Sequence, residues 1–318
     1  MRYISSMILA VAALFSANGV MADTFGTGGN QFTIDFVPIS GATNPTSGYG
    51  IVDQTFRMGT YEITNDQWNK FKVNLGLPVT GYPSDAYNSS AHYTGANVPT
   101  DNVSWYEAAQ FVNWLNTSTN HQAAYKFTGT QGTGDYAFAA WSATDTGYDA
   151  GNPHRNADAF YYLPTENEWV KAAYWNGTTL QTYATKSGET LTQGDGVSGT
   201  GWNYYSNGYA TNPYGPWNVG SGSEELNGTY DMMGNVFEWM ESPYSDSSYG
   251  AGSSRGLRGG TWYGFSDVLA ASDRSGGLPT TQYSFVGFRV ASAPEPGSIT
   301  MLLGLAATAL LYCRRKHA

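Results

Sequence analysis

Asp231 and Glu238 bring two carboxylates to either side of the Gly234-Asn235 pair, in the run Tyr230-Asp231-Met232-Met233-Gly234-Asn235-Val236-Phe237-Glu238-Trp239. Carboxylates are hard oxygen donors. Glycine tolerates the backbone angles that aim a carbonyl inward. Calcium takes roughly six to eight oxygens in flexible geometry. The same pattern describes a turn whose Asp231 accepts hydrogen bonds from backbone amides. The spacing alone leaves both readings open.

Other chemistry is sparse. His92, His121 and His154 are far apart and show no helical three- or four-residue pairing. Two of them could join a carboxylate around iron only by assembly from a distance. Their alternative is surface and loop placement. Cys313 is the single cysteine, so a disulfide scaffold is excluded. The chain has no Gly-x-Ser-x-Gly, no phosphate loop and no His-Glu-x-x-His. Arg258, Arg274 and Arg289 cluster near the end. Their simplest role is to tie loops by bidentate pairing to carboxylates, with substrate binding as the alternative.

These residues need a scaffold. Phe32 to Val37 alternates apolar and polar and reads as a half-buried strand. Phe56 to Ile63 reads as a second strand ending at Thr64. Three helices start on one device, a hydroxyl cap three residues before Glu or Gln: Thr64 with Gln67, Ser104 with Glu107, and Thr165 with Glu168. Trp68 and Phe71, then Trp105, Ala108, Phe111, Val112 and Leu115, then Trp169, Ala172 and Ala173 point to the core at helical spacing. The stretches 128–158 and 178–201 are long, polar and Gly-rich. Trp141, Tyr148, Trp202 and Tyr205 lie in or beside them. Their rings could stack on sugars or simply pack the loops. The expected class is α+β with much irregular structure.

Of the 318 residues, 15% are aromatic and 13% charged, which excludes a disordered coil. The net charge of −10 opposes binding to phosphate backbones, so no nucleic-acid partner is expected. Met1 to Ala22 reads as a secretory signal peptide: Arg2, an apolar stretch from Ile8 to Phe15, and Val20-Met21-Ala22 before a cut ahead of Asp23. The far end, 293–318, holds Pro294-Glu295-Pro296, an apolar run from Ile299 to Tyr312, and Arg314-Arg315-Lys316. It resembles the PEP-CTERM sorting signal of Gram-negative bacteria. That resemblance implies transient membrane anchoring through the tail, removal by an exosortase, and delivery to the cell surface or matrix. The alternative is an ordinary C-terminal anchor. Without the two ends, the loss of Arg2, Arg314, Arg315, Lys316 and Glu295 takes the net charge to −13.

Six motifs stand in a fixed order: Met58 to Asn65, Val98 to Leu115, Tyr161 to Trp169, Tyr230 to Trp239, Leu257 to Trp262 and Val286 to Val290. Together they resemble the formylglycine-generating enzyme, or sulfatase-modifying factor, family over about 32–291. The resemblance implies a single compact loop-rich α+β domain related to C-type lectins. It also implies a calcium site from the side chains of Asp231 and Glu238 and the carbonyls of Gly234 and Val236. A second calcium set is implied at Asn203, Tyr204, Asn212 and Tyr214, where Asn212 puts an amide in place of the family's carboxylate. The family's oxidation of a client cysteine needs two copper-binding cysteines after Arg-Gly-Gly. Counting from Arg258-Gly259-Gly260, those positions hold Gly264 and Leu269, which cannot ligate Cu(I). The expectation is therefore an exported, calcium-stabilised, non-catalytic surface or matrix protein, with copper absent. Exopolysaccharide or another surface protein would be its partner. The alternative is a metal-dependent oxidoreductase with an unknown substrate.

Overall fold

The computed structural model describes residues 20–245 and 249–294. The expected signal-peptide core before Val20 and the expected sorting tail beyond Pro294 lie outside them. Among the described residues no helix is long and apolar enough to cross a membrane.

Among the described residues, three small sheets and three α-helices surround one aromatic core. In chain order the elements are β1 (Met21–Phe25), β2 (Phe32–Ile39), β3 (Phe56–Gly59), α1 (Asn65–Leu75) and α2 (Trp105–Ser118). Then come β4 (Phe127–Thr128), β5 (Ala137–Phe138), β6 (Tyr161–Tyr162) and α3 (Glu166–Tyr174). The closing elements are β7 (Phe237–Pro243), β8 (Arg255–Arg258), β9 (Ser275–Gly277), β10 (Val286–Gly287) and β11 (Ala291–Ser292). One sheet is antiparallel throughout in the order β1-β2-β3-β11-β6. A second runs β10-β7-β8-β9, with β10 parallel to β7, and β4 pairs with β5 in a two-stranded third. The first sheet thus joins the two ends of the domain, since β11 lies between β3 and β6.

All three capping boxes form. Thr64, Ser104 and Thr165 each accept from the backbone of the third helical residue, whose side chain returns the bond. This satisfies end donors that would otherwise face the core. The helices bury the expected aromatics. Trp68 packs on Phe71 and Phe111 at centroid distances of 5.1 and 5.8 Å, and Phe32 stacks on Trp114 at 5.9 Å. The second strand is shorter than its sequence pattern. β3 stops at Gly59, and Thr64 meets Pro99 in an isolated bridge. Past Gly59 the ladder breaks: Thr60 N still bonds to Asp35 O, Ile63 N bonds to Phe288 O, and Glu62 and Ile63 are both buried. The sheet also begins before Phe32. Asp23 of β1 forms a paired contact with Arg57, 2.6 Å from Nη2, and this arginine is 1% exposed. A cut ahead of Asp23 would retain that ion pair and remove Met21 and Ala22 from the pairing with β2.

Candidate functional site

The run 230–239 is a left-handed turn feeding a buried strand. Asp231, Gly234 and Asn235 have φ of 59°, 86° and 56°. Asp and Asn enter this region more readily than other residues bearing a Cβ. At Gly234 a Cβ would lie inside the Asn203 carbonyl oxygen, so glycine is required there. Asn235 locks the turn. Its Oδ1 accepts from Asn203 Nδ2 at 3.0 Å and Trp217 N at 2.9 Å, and its Nδ2 donates to Glu62 at 2.7 Å.

The two carboxylates read from the sequence both point into this buried region, and both have protein partners. Asp231 accepts from Trp217 Nε1 at 2.8 Å and from Gly220 N at 2.6 Å. Glu238 is paired with Arg289 at 2.6 and 2.7 Å and accepts from Trp169 Nε1 at 2.7 Å. Sequence reasoning missed two more acids here, Glu62 and Glu225. Four carboxylates, all at most 4% exposed, thus surround a single buried arginine. Burial is the main cause that raises the pKa of Glu62 well above the usual range, and repulsion from Asp231 and Glu238 adds to it. Burial likewise pushes Glu225 up to about 8 and raises Asp231. Such an acid excess in a dry core must hold protons or a cation. Beyond these bonds each Asp231 oxygen and Glu238 Oε1 keep a lone pair, the kind of donor a hard cation takes. Of the second calcium set, Asn203 is buried and donates to Gly215 O at 3.1 Å, while Asn212 and Tyr214 are exposed.

A second feature is an aromatic face built from three stretches without a single Asp, Glu, Lys or Arg: 196–223, 259–266 and 275–288. Tyr209 stacks on Tyr214 at 4.8 Å, and Tyr214 stacks on Trp262 at 5.6 Å. Tyr205 packs on Tyr209 and Phe265, both at 5.1 Å. From Trp262 the contacts run on through Tyr263 to Phe285 and Tyr283. Phe265 and Tyr214 are 61% and 58% exposed. Trp262 is buried, and its Nε1 has no hydrogen-bond partner. Of the proposed sugar-stacking residues, Tyr205 lies on this face. Trp202 is buried, and Trp141 donates to Ala124 O at 2.9 Å within its own loop. Tyr148 is half-buried. The face was missed because its rings come from three separated stretches. The signal that marks it is aromatic density combined with the absence of charge.

Gly264 sits in this face, between Tyr263 and Phe265, and its carbonyl accepts from Tyr205 N at 2.8 Å. The space a Cβ would take there is filled by Val268. Leu269 is fully buried, with its carbonyl bonded to Tyr174 at 2.8 Å. The three arginines tie loops: Arg258 and Arg274 share Glu166, and Arg289 holds Glu238. His92 stacks edge-on at Tyr93, His121 stacks on Phe160, and His154 packs on Tyr249. Burial and the nearby Arg255 push His154 down to about 4. Among the described residues no group of three His, Cys, Asp or Glu side chains is arranged to hold a metal ion.

Residues 22–294 match the model of the sulfatase-modifying factor enzyme 1-like domain. Over 281 residues the chain is 25% identical to the chaperone protein LppX of Paenibacillus barcinonensis, covering 80% of this chain and 86% of that protein. Over 273 residues it is 25% identical to a hercynine oxygenase of Mycolicibacterium thermoresistibile, spanning 74% of this chain and half of that protein. Among solved structures, Treponema denticola variable protein 1 aligns with a TM-score of 0.58 at 24% identity, over 86% of this chain and 99% of that one. CarF aligns with a TM-score of 0.55 at 21% identity, over 82% and 99%. These two likenesses carry the fold. The chain belongs to the sulfatase-modifying factor enzyme 1-like family.

Proposed function

We propose that this protein is an exported, calcium-stabilised binding module of the cell surface or extracellular matrix, and that it binds a neutral exopolysaccharide through its aromatic face. The observation that carries this reading is the makeup of the surface around Gly264. At the positions matching the family's copper cysteines stand a glycine with no room for a Cβ and a buried leucine. Around them lie exposed aromatic rings, with Asp267 as the one charged side chain between the two positions. Rings offer flat apolar area to the apolar faces of sugar rings. A neutral surface on a strongly acidic protein favours an uncharged chain over an acidic or a basic one. Asn207, Asn212 and Ser206, all exposed on the same stretch, supply hydrogen bonds for hydroxyl groups.

Asp231 and Glu238, with the carbonyls of Gly234 and Val236, would hold the calcium. When bound, calcium supplies the positive charge that the buried acids lack. Its role is to pin the turn below the face, because Trp262 N bonds to Asn235 O at 2.9 Å and so ties the face to that turn. Export rests on the leader up to Ala22. Surface sorting rests on Pro294-Glu295-Pro296 and the Arg314-Arg315 end, read by exosortase-type machinery.

The test is binding of the purified protein to neutral exopolysaccharide from the producing strain, compared with Tyr214→Ala/Phe265→Ala. Both side chains are largely exposed, so their removal should leave the fold intact. The double variant is expected to lose most of the binding. Metal analysis of the same sample serves as the control. Copper or iron at one equivalent after calcium exchange would favour an oxidoreductase and overturn the binding-module reading.

A further inference from the structure

Away from the turn and the aromatic face, a cavity of about 380 Å³ opens between α1 and the first turn of α2. Trp68 and Lys72 line it from α1, Glu107 from α2, and Ser90, Asp101 and Asn102 from the loop between them. Asp101 and Glu107 are 1% and 6% exposed. Neither carboxylate has an ion-pair partner among the described residues. Asp101 accepts His92 N on one oxygen at 2.6 Å and Tyr93 N on the other at 3.0 Å. Glu107 accepts Ser104 N at 2.8 Å and Gln282 Nε2 at 2.9 Å, both on Oε2. Its Oε1 is therefore the oxygen left to the cavity.

We propose that this cavity binds a small hydroxylated organic ammonium ion of the amino-sugar class. The ammonium group would lie against Glu107 Oε1 and Asp101. Two buried carboxylates without a cation are costly, and a compact cation relieves that cost. The indole of Trp68 adds an aromatic wall that attracts ammonium ions. Ser90 and Asn102 give hydroxyl groups their partners. A neutral sugar would leave the carboxylates unpaired. A bare divalent cation lacks a third acidic or imidazole donor, since none gathers with these two among the described residues. Lys72 is exposed at the mouth, and its charge acts on Glu107 as a tethered competitor. Burial holds Asp101 at about 6 and Glu107 at about 7, so both are charged at pH 8.

The experiment is calorimetric titration of the protein at pH 8 with glucosamine, and with glucose as the neutral counterpart. Glu107→Gln is the main variant, because glutamine still accepts from Ser104 N and keeps the capping box. Its melting temperature confirms that it folds. Glucosamine should bind saturably, and glucose about tenfold more weakly or worse. Glu107→Gln should weaken glucosamine by about tenfold or more, and Lys72→Ala should tighten it. Equal binding of glucose, unchanged affinity in a folded Glu107→Gln protein, or no saturable heat up to about 10 mM glucosamine would each overturn the proposal. None of these outcomes depends on the aromatic face.

Discussion

At Gly234 the chain has no alternative residue. Its φ of 86° and the Asn203 carbonyl against it both exclude a Cβ. Gly234→Ala should therefore destabilise the protein by about 3 kcal/mol or more, read as a lowered denaturant midpoint, because backbone strain and a backbone clash add. A substitution costing under about 1 kcal/mol would mean that the turn can open without loss. Two buried acids make a pH prediction. Burial places Glu107 and Glu241 at about 7, above the ordinary value of 4.5. Between those values the folded state holds more protons than the unfolded chain. The associated stability is full below about 4.5 and is lost as the pH rises through 7. At fixed calcium the melting temperature should fall from pH 5 to pH 8, and Glu107→Gln should make that fall shallower. An unchanged slope in the variant would remove Glu107 from this account.

The helices are fixed by contacts a few residues apart. Thr165 accepts Glu168 N at 3.1 Å and its own N donates to Glu168 at 2.7 Å. Thr165→Ala should cost about 1 kcal/mol in stability, and equilibrium unfolding should show the loss without a change in m-value. All three helix starts were legible in the sequence because a capping box is local. The strand Phe32 to Val37 was legible for the same reason, since alternation needs no distant partner. The burial of Glu62 was not legible as part of an acid cluster, because its neighbours Asp231 and Glu238 come from far along the chain. β1 was hidden because its residues overlap the apparent leader. Asp231 and Glu238 were found from their spacing around Gly234. Their partners Trp217, Trp169 and Arg289 were not, because no local pattern carries a contact across so many residues. The aromatic face was out of reach for the same reason, as its three stretches meet only after folding.

The whole molecule combines a net acidic charge, a core with excess buried acid, and one aromatic surface poor in charge. If calcium holds the turn, it stabilises the native state by mass action, about 2.7 kcal/mol at a hundredfold excess over Kd. Chelation should then lower the melting temperature by several degrees, and Asp231→Asn should remove most of the difference between calcium and chelator. Asp231 is a better probe than Glu238, whose loss would also leave Arg289 buried and unpaired. The same melting temperature with and without chelator would reduce these acids to proton-holding partners of the core.

The proposed function makes the aromatic face a binding surface for a neutral glycan chain. Affinity electrophoresis through gels containing neutral exopolysaccharide from the producing strain measures this directly. The protein should be retarded in proportion to the polysaccharide concentration, and Tyr214→Ala/Phe265→Ala should migrate nearly as in a plain gel. Equal migration of the native protein with and without polysaccharide, or equal retardation of both proteins, would contradict it.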